Sequence, residues 1–297
     1  MNDALSQFRE AIRADGLEPP DVIKPGKLHR FPGVGKCNGN TAGWCRFFED
    51  GEGGVFGDWA SGLSEIWQTK RNKPYSQAER TAFAHRIEET RKRVEKERQH
   101  QYTDAAEKAE VIWNQSTPAN DSHSYLIRKG IEASGARSHQ GALVVPVRSG
   151  GELHSLQFIS EDGSKRFLNG GRISGCYFSI GTIKRANALC IAEGFATGAT
   201  IHQATGYPVA VAFNAGNLEP VVNAMRQKLP GLPLIICADD DADTEGNPGI
   251  TKANKAALAI GAKVVVPDFG DHRPDDVTDF NDMAALLGLE AVAKAIH

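Results

Sequence analysis

The sequence predicts an α/β protein. A mostly parallel C-terminal sheet with helices on both faces follows a β-rich lobe, a helical connector and a small β-rich N-terminal domain. Three observations carry this expectation. From residue 186 onward, the buried-strand patterns ALCIAEG, YPVAVAFNAG, LPLIICADDD and AKVVVPD alternate with the helical patterns FATGATIHQATG, NLEPVVNAMRQKL and GITKANKAALAIG. Alternation of this kind implies parallel strands joined by crossover helices. Residues 76–116 lack Gly and Pro and are rich in helix formers with closely spaced opposite charges, which predicts one long helix or two consecutive ones. Residues 28–67 are instead crowded with Gly and aromatic residues, the pattern of short strands joined by tight turns.

The elements follow in chain order. Residues 5–14 predict a short helix, ended by the Pro-rich LEPPDVIKPGK. EDGEGG is the clearest turn of the next segment, whose aromatic residues Trp44, Phe47, Phe48, Phe56, Trp59 and Trp67 are expected to form a small core. Base stacking is the alternative reading of each. The charge run 86–98 is read as a solvated helix face, with a basic nucleic-acid face as the alternative, and Pro118 closes the helical stretch. GALVVPVRS, ELHSLQFIS, KRFLNGG and GCYFSIG are then strand candidates separated by Gly-containing turns. The expected divisions are 1–70, 71–118, 119–185 and 186–297.

With 297 residues, 40% hydrophobic, 24% charged and a net charge of −3, the chain has the balance of an ordinary globular protein. Any nucleic-acid surface must therefore be a local patch. No run is long enough for a membrane-spanning helix, and MNDALSQFREAIRADG does not read as a secretory signal, so a cytoplasmic location is expected. The five scattered cysteines suit reduced thiols. His29, Cys37 and Cys45 lie close together in sequence, but no CxxC pair accompanies them and no fourth ligand is evident, so no zinc is expected.

The chemistry gathers at the carboxyl ends of the strands, where open α/β sheets place their functional groups. One strand ends in Glu193-Gly194, the next in Asn214-Ala215-Gly216-Asn217, and a third in ADDDADTEG, residues 238–246. By itself the acidic run is either a solvated turn or a site for a divalent cation. If its strand lies beside that of Glu193, three carboxylates face one another with no Lys or Arg near in sequence. They repel until a metal neutralises them, and oxygen ligands of this kind suit Mg²⁺, which keeps several of its waters.

A Glu-Gly after a buried strand, followed by a DxD at the end of a later strand, resembles the Toprim domain, a Rossmann-like fold. Primases, type IA and type II topoisomerases and some nucleases share it. The resemblance implies catalytic and metal-binding roles for Glu193, Asp239 and Asp241, with Mg²⁺ or Mn²⁺ as the cofactor. This sequence departs from the family in the longer loop ADTEGNPG, where Gly249 is placed to take the role of the usual tight Ala-Gly. Asp243 is either a further metal ligand or solvated, and Glu245 is expected to be solvated. In DVTDFNDM, Asp279 and Asn281 match a segment that supports the metal site in primases of phages and plasmids; capping of the following helix is the competing reading.

The segment before the Toprim part is similar to the β-rich lobe of bacterial replicative primases. KRFLN puts Arg166 where a basic residue precedes Tyr-Leu-Asn in that family, with Lys165 beside it. The resemblance implies nucleotide or DNA contacts for Arg148, Lys165, Arg166, Arg172, Asn214 and Asn217. Successive strand residues alternate faces, so Lys165 and Arg166 should point opposite ways, and the resemblance implies that Arg166 points to the Toprim edge and Lys165 away from it. The N-terminal segment resembles the leading domain of primases from plasmids, phages and conjugative elements. Topoisomerase activity is disfavoured, since little chain remains for a DNA gate. No GxxxxGK[ST] occurs, so a helicase would be a separate partner. The implied function is Mg-dependent synthesis of short RNA primers from ribonucleoside triphosphates on single-stranded DNA. A Toprim nuclease and a non-catalytic single-strand-binding protein are the alternatives.

Overall fold

Glycines decide how the N-terminal part packs. In the strand GGVFGD, a Cβ on Gly54 would stand 2.7 Å from the Phe8 ring, and one on Gly57 only 2.1 Å from the Leu63 carbonyl oxygen. Neighbouring elements thus approach this strand more closely than any side chain allows. The structure is a computed structural model that describes residues 2–36, 39–70, 74–270 and 273–297. Internal contacts divide the chain into two units, Met1–Gln101 and Tyr102–His297.

In the first unit, helix α1 (Asn2–Ala14) is followed by strands β1 (Leu28–Phe31), β2 (Gly43–Phe47), β3 (Gly53–Asp58) and β4 (Leu63–Gln68). They form an antiparallel sheet in the order β1-β2-β3-β4. Alternation splits the aromatic residues between its faces. Cys45, Phe47 and Phe56 pack with Phe8 and Ile12 of α1. Trp44, Phe48 and Val55 pack with Phe83 and Val94 of helix α2 (Gln77–Gln115). The expected core role thus holds for Trp44, Phe47, Phe48 and Phe56, while Trp59 and Trp67 are only partly buried. Burial pushes the Cys45 thiol up to about 12; Cys37 lies outside the described residues, as does the expected boundary at residue 71.

The helical stretch is a single helix, α2. Beyond its end, β5 (Thr117–Pro118), β6 (Arg137–His139), β7 (Ala142–Ser149), β8 (Glu152–Ile159) and β9 (Lys165–Phe167) supply an antiparallel sheet in sequence order, with helix α3 (Ser124–Lys129) between β5 and β6 in the chain. Val144, Leu156 and Phe158 on one face meet Ala109, Ile112 and Trp113 of α2. Leu143, Val145, Val147 and Ile159 on the other face join the main core of the second unit.

The remaining strands are β10 (Phe178–Ile180), β11 (Leu189–Ala192), β12 (Val209–Val211), β13 (Leu234–Cys237) and β14 (Lys263–Val265). They form a sheet in the order β10-β12-β11-β13-β14, parallel except for β10. GCYFSIG, expected in the lobe, thus supplies the antiparallel edge of the other sheet. Its Phe178 and Ile180 are buried there with Phe195, a partnership that three residues of periodicity do not encode. The helices are α4 (Phe195–Thr205), α5 (Leu218–Lys228), α6 (Pro248–Ile260), α7 (Phe280–Leu287) and α8 (Leu289–Ile296). Alternation along β11 sends Cys190 and Ala192 toward α4, α7 and α8, and Leu189 and Ile191 toward α5 and α6. Cys45, Cys176, Cys190 and Cys237 are free and buried. No helix among the described residues is long and apolar enough to cross a membrane.

Gly57→Ala should destabilise the protein by about 1–3 kcal/mol, the scale of an overpacked site, because the obstructing atom is backbone. Denaturant unfolding checks this, and an unchanged midpoint would show that β3 and β4 can separate without cost.

Candidate metal and phosphate site

Strand register brings the acids to one edge. β11 and β13 are parallel neighbours with Ala192 opposite Cys237, so Glu193 and Asp239 both follow at the carboxyl edge of the sheet, where the charge of Glu193 acts on Asp239. Both are partly buried. Burial, then the charge of Asp241, raises the Glu193 carboxyl to about 7, against a pull from Lys252. Burial, then Glu193, Asp279 and Asp241, raises Asp239 to about 8, against Lys165. Each keeps one buried oxygen (Oε1 of Glu193, Oδ1 of Asp239) without a hydrogen-bond partner.

The loop after β13 is held from several sides. Arg273, 33 residues away in sequence, pairs with the Asp240 carboxylate and donates to its carbonyl at 2.6 Å. Asn247 donates to Asp240 Oδ1 at 2.7 Å and accepts from the Asp241 backbone N–H at 3.1 Å, while itself in the left-handed region at φ 41°. Gly249, in the first turn of α6, donates its N–H to Asp241 Oδ2 at 3.1 Å. A Cβ there would stand 2.3 Å from the Asp239 carbonyl oxygen, so Gly249 does provide the close approach expected of it. Asp240 is thereby taken up in an ion pair, whereas Asp239 is left to face Glu193. Asp243 and Glu245 are exposed on the loop, and Asp243 is not among the charges acting on Glu193.

Asp279 caps α7 and also stands within the field of the acids. As the N-cap of α7 it accepts from the Asn281 and Asp282 backbone N–H groups, completing a capping box with Asp282. Its other oxygen accepts from the Thr197 hydroxyl at 2.7 Å, and its charge acts on Asp239. Asn281 is buried and donates to the Lys129 carbonyl at 2.7 Å and the Thr200 hydroxyl at 2.9 Å. It ties α7 to α3 and α4 rather than facing the acids.

The lobe contributes a cation, but not the one expected. β9 pairs Ile159 with Lys165 and Phe158 with Arg166. Ile159 faces the main core and Phe158 the opposite side. The Arg166 guanidinium accordingly stacks 4.4 Å from the Phe158 ring centroid. Lys165, on the face toward the acids, interacts with Asp279 and Asp239. Phe167, on the same face, meets Phe213 with ring centroids 5.8 Å apart. Alternation of faces holds and the expected facing is reversed, because the register with β8 was not legible in the sequence. Though much of the Lys165 side chain is exposed, desolvation of its ammonium and repulsion by Lys129 hold its pKa below the ordinary lysine value.

The other expected contacts are dispersed. Arg148 donates to the Gly151 carbonyl at 2.9 Å and stands 5.7 Å from the Trp113 ring centroid. Arg172 lies 2.8 Å from His154 Nε2. Asn214 is exposed beyond β12 and caps the turn Ala215–Asn217. Asn217 is buried, its amide donating to the Cys176 and Ala212 carbonyls and accepting from Gly175 N–H, each at 2.8 Å. That side chain is committed within the fold. Arg273 meets Asp240 across 33 residues of sequence, so adjacency does not reveal it; its place just before DVTDFND is the signal the sequence offers.

Among the described residues, no three His, Cys, Asp or Glu side chains are gathered closely enough to hold a metal ion by themselves. The fit to a cation rests instead on the two unpartnered oxygens and on the hard, oxygen-only donor set. Mg²⁺ asks for only one or two carboxylates because water and substrate complete its shell.

Residues 188–290 match the sequence family described as the Toprim domain, and this part of the chain is a Toprim domain. The chain is further similar to two proteins named DNA primase TraC from Escherichia coli. One is 33% identical over 291 residues, covering 89% of this chain and 26% of the relative. The other is 32% identical over 300 residues, covering 94% and 20%. The chain thus spans about a quarter or less of the length of these curated relatives. Among solved structures, the zinc-binding and RNA polymerase domains of the Aquifex aeolicus primase align over 99% of this chain and 84% of that one, with TM-score 0.46 and 12% identity.

The raised carboxyls fix the sign of a pH dependence. Between the ordinary values, 4.5 and 3.8, and the raised ones, about 7 and 8, the folded state holds protons that the unfolded chain has lost. Stability without metal should therefore be fully present at low pH and decline as pH rises from about 5 to about 8. Asp239→Asn should flatten the upper part of that decline. Urea unfolding across the range checks this, and wild-type stability that rises toward the alkaline end would refute it.

Proposed function

We propose that this chain is the primase part of a Toprim protein, synthesising short RNA primers from ribonucleoside triphosphates on single-stranded DNA by metal-dependent nucleotidyl transfer. The single observation that carries the reading is the placement of Glu193 and Asp239 at one sheet edge with Lys165 facing them from the preceding lobe. Acids alone would suit any Toprim enzyme. An ammonium from a separate lobe opposite the acids adds a group suited to phosphate, and similarity to primases along nearly the whole chain supports that choice. In this reading, residues 1–70, 71–118, 119–185 and 186–297 are the leading domain, the connector, the lobe and the Toprim domain.

Glu193, Asp239 and Asp241 would hold Mg²⁺ or Mn²⁺, whose chemistry there is activation of a primer 3′-hydroxyl and neutralisation of charge on departing pyrophosphate. The residues of the chain have distinct tasks around that centre. Lys165 binds a triphosphate or template phosphate. Gly249 N–H keeps Asp241 oriented, and the Arg273–Asp240 pair holds the loop backbone. Asp279 orients the acidic edge through Thr197 and the start of α7. Arg166, stacked on the far face of the lobe, is reassigned from this group.

The purified protein with Mg²⁺, labelled ribonucleoside triphosphates and single-stranded DNA of varied sequence tests the reading. Asp239→Asn and Asp241→Asn should abolish primer synthesis while the proteins stay folded. Lys165→Ala should weaken nucleotide or template binding by roughly 1–3 kcal/mol, the scale of a hydrogen bond to a charged group, and Arg166→Ala by less. Strand nicking without nucleotide-dependent synthesis would instead assign a nuclease, and a silent Lys165→Ala would remove the proposed phosphate contact.

A further inference from the structure

The first unit holds a cavity of about 190 Å³ between its sheet and α2, lined in part by Trp44, Trp59, Leu63, Arg91, Val94 and Arg98. We propose that it receives one nucleobase of a single-stranded nucleic acid, with Arg91 at its rim binding an adjacent phosphodiester. The proposal deepens the primase reading by giving the template a second, separate binding site.

Size, shape and charge each narrow the ligand. Cavities for drug-sized molecules start near roughly 300 Å³, so this one suits a single planar ring system. The Arg30 guanidinium lies 3.5 Å over the Trp59 ring, fixing the plane of an aromatic wall that is only partly buried. Stacking on such a wall tolerates any base, since every base has a π-face. Trp44 is 3% exposed, and its indole Nε1 is buried without a hydrogen-bond partner. That nitrogen is closed to a ligand, so Trp44 contributes its ring surface to the lining.

The pairing of the lining charges leaves Arg91 open to an anion beside that base. Asp58 is buried with its carboxylate accepting from the Ala60 and Val34 backbone N–H groups at 2.9 and 3.2 Å. Glu95 is paired with Arg98 at 2.5 Å. Arg91 is exposed and has no carboxylate in salt-bridge contact among the described residues. Two guanidiniums and two carboxylates leave the lining without net charge, which suits a base carrying one adjacent phosphodiester at Arg91 better than the several charges of a free triphosphate.

The test is equilibrium binding of the full chain to a fluorescently labelled deoxythymidine oligomer, with Arg91→Ala and Trp59→Ala. Each should weaken binding, Trp59→Ala by roughly five- to a hundredfold, the range of a lost base–aromatic stack. Arg91→Ala alters an exposed helix position, so its result does not depend on a fragile fold, and it should also reduce the salt dependence. Wild-type binding by both Arg91→Ala and Trp59→Ala would overturn the proposal, even if the protein primes through Asp239. Competition by free ATP that Arg91→Ala abolishes would overturn it as well, assigning a nucleotide site. Weakened binding in these variants from a protein that does not prime would uphold the cavity and overturn the primase reading, so the two fail separately.

Discussion

Two carboxylates held side by side at the edge of a buried parallel sheet are the constraint on which the C-terminal unit turns. Glu193 and Asp239 follow strands whose residues pair directly, and each is lifted far from its ordinary pKa by burial and by its neighbours' charge. One pKa unit corresponds to about 1.4 kcal/mol, so keeping both ionised near neutrality costs on the order of several kcal/mol. The fold does not offset that cost by charge, since Asp279 adds to it and Lys165 alone opposes it at Asp239; neighbouring structure instead holds the acids together.

Much of the surrounding hydrogen bonding serves this end. Arg273 takes up the charge of Asp240 and holds its carbonyl. Asn247 fixes the turn in a left-handed conformation that permits both of its contacts, and Gly249 lets α6 approach the Asp239 carbonyl. Asp279 spends its carboxylate on the α7 cap and Thr197, and Asn281 anchors that helix to α3 and α4. What remains uncompensated is narrow: one oxygen each on Glu193 and Asp239, with Lys165 the lobe's cation toward them. A site for a hard cation and a phosphate has the same requirements.

The parallel sheet was legible because buried strands and helices of the C-terminal part alternate cleanly, and the spacing of Glu193 from the DxD pair then placed the acids at one edge. The aromatic core of the first unit was legible from composition. Properties set by register or distant partners were not. Lys165 and Arg166 differ by one position, and only the pairing of Ile159 and Phe158 with them decides which faces the acids. Asn217 looks like a loop residue available to ligand, yet three backbone groups saturate it. β10 has too few residues to announce which sheet it joins, and Arg273 reaches Asp240 across a loop that sequence adjacency does not reveal.

Thermal melting at about pH 8, where the raised carboxyls repel most strongly, measured over a Mg²⁺ series for wild type and Asp239→Asn, tests the proposed cation site most directly. A ligand bound by the folded state alone raises stability in proportion to the logarithm of its concentration above Kd. Wild type should therefore gain stability with added Mg²⁺, and Asp239→Asn, already more stable without metal, should gain little. A wild-type melting temperature that stays flat through saturating Mg²⁺, or an equal rise in both proteins, would contradict a cation site built on Glu193 and Asp239.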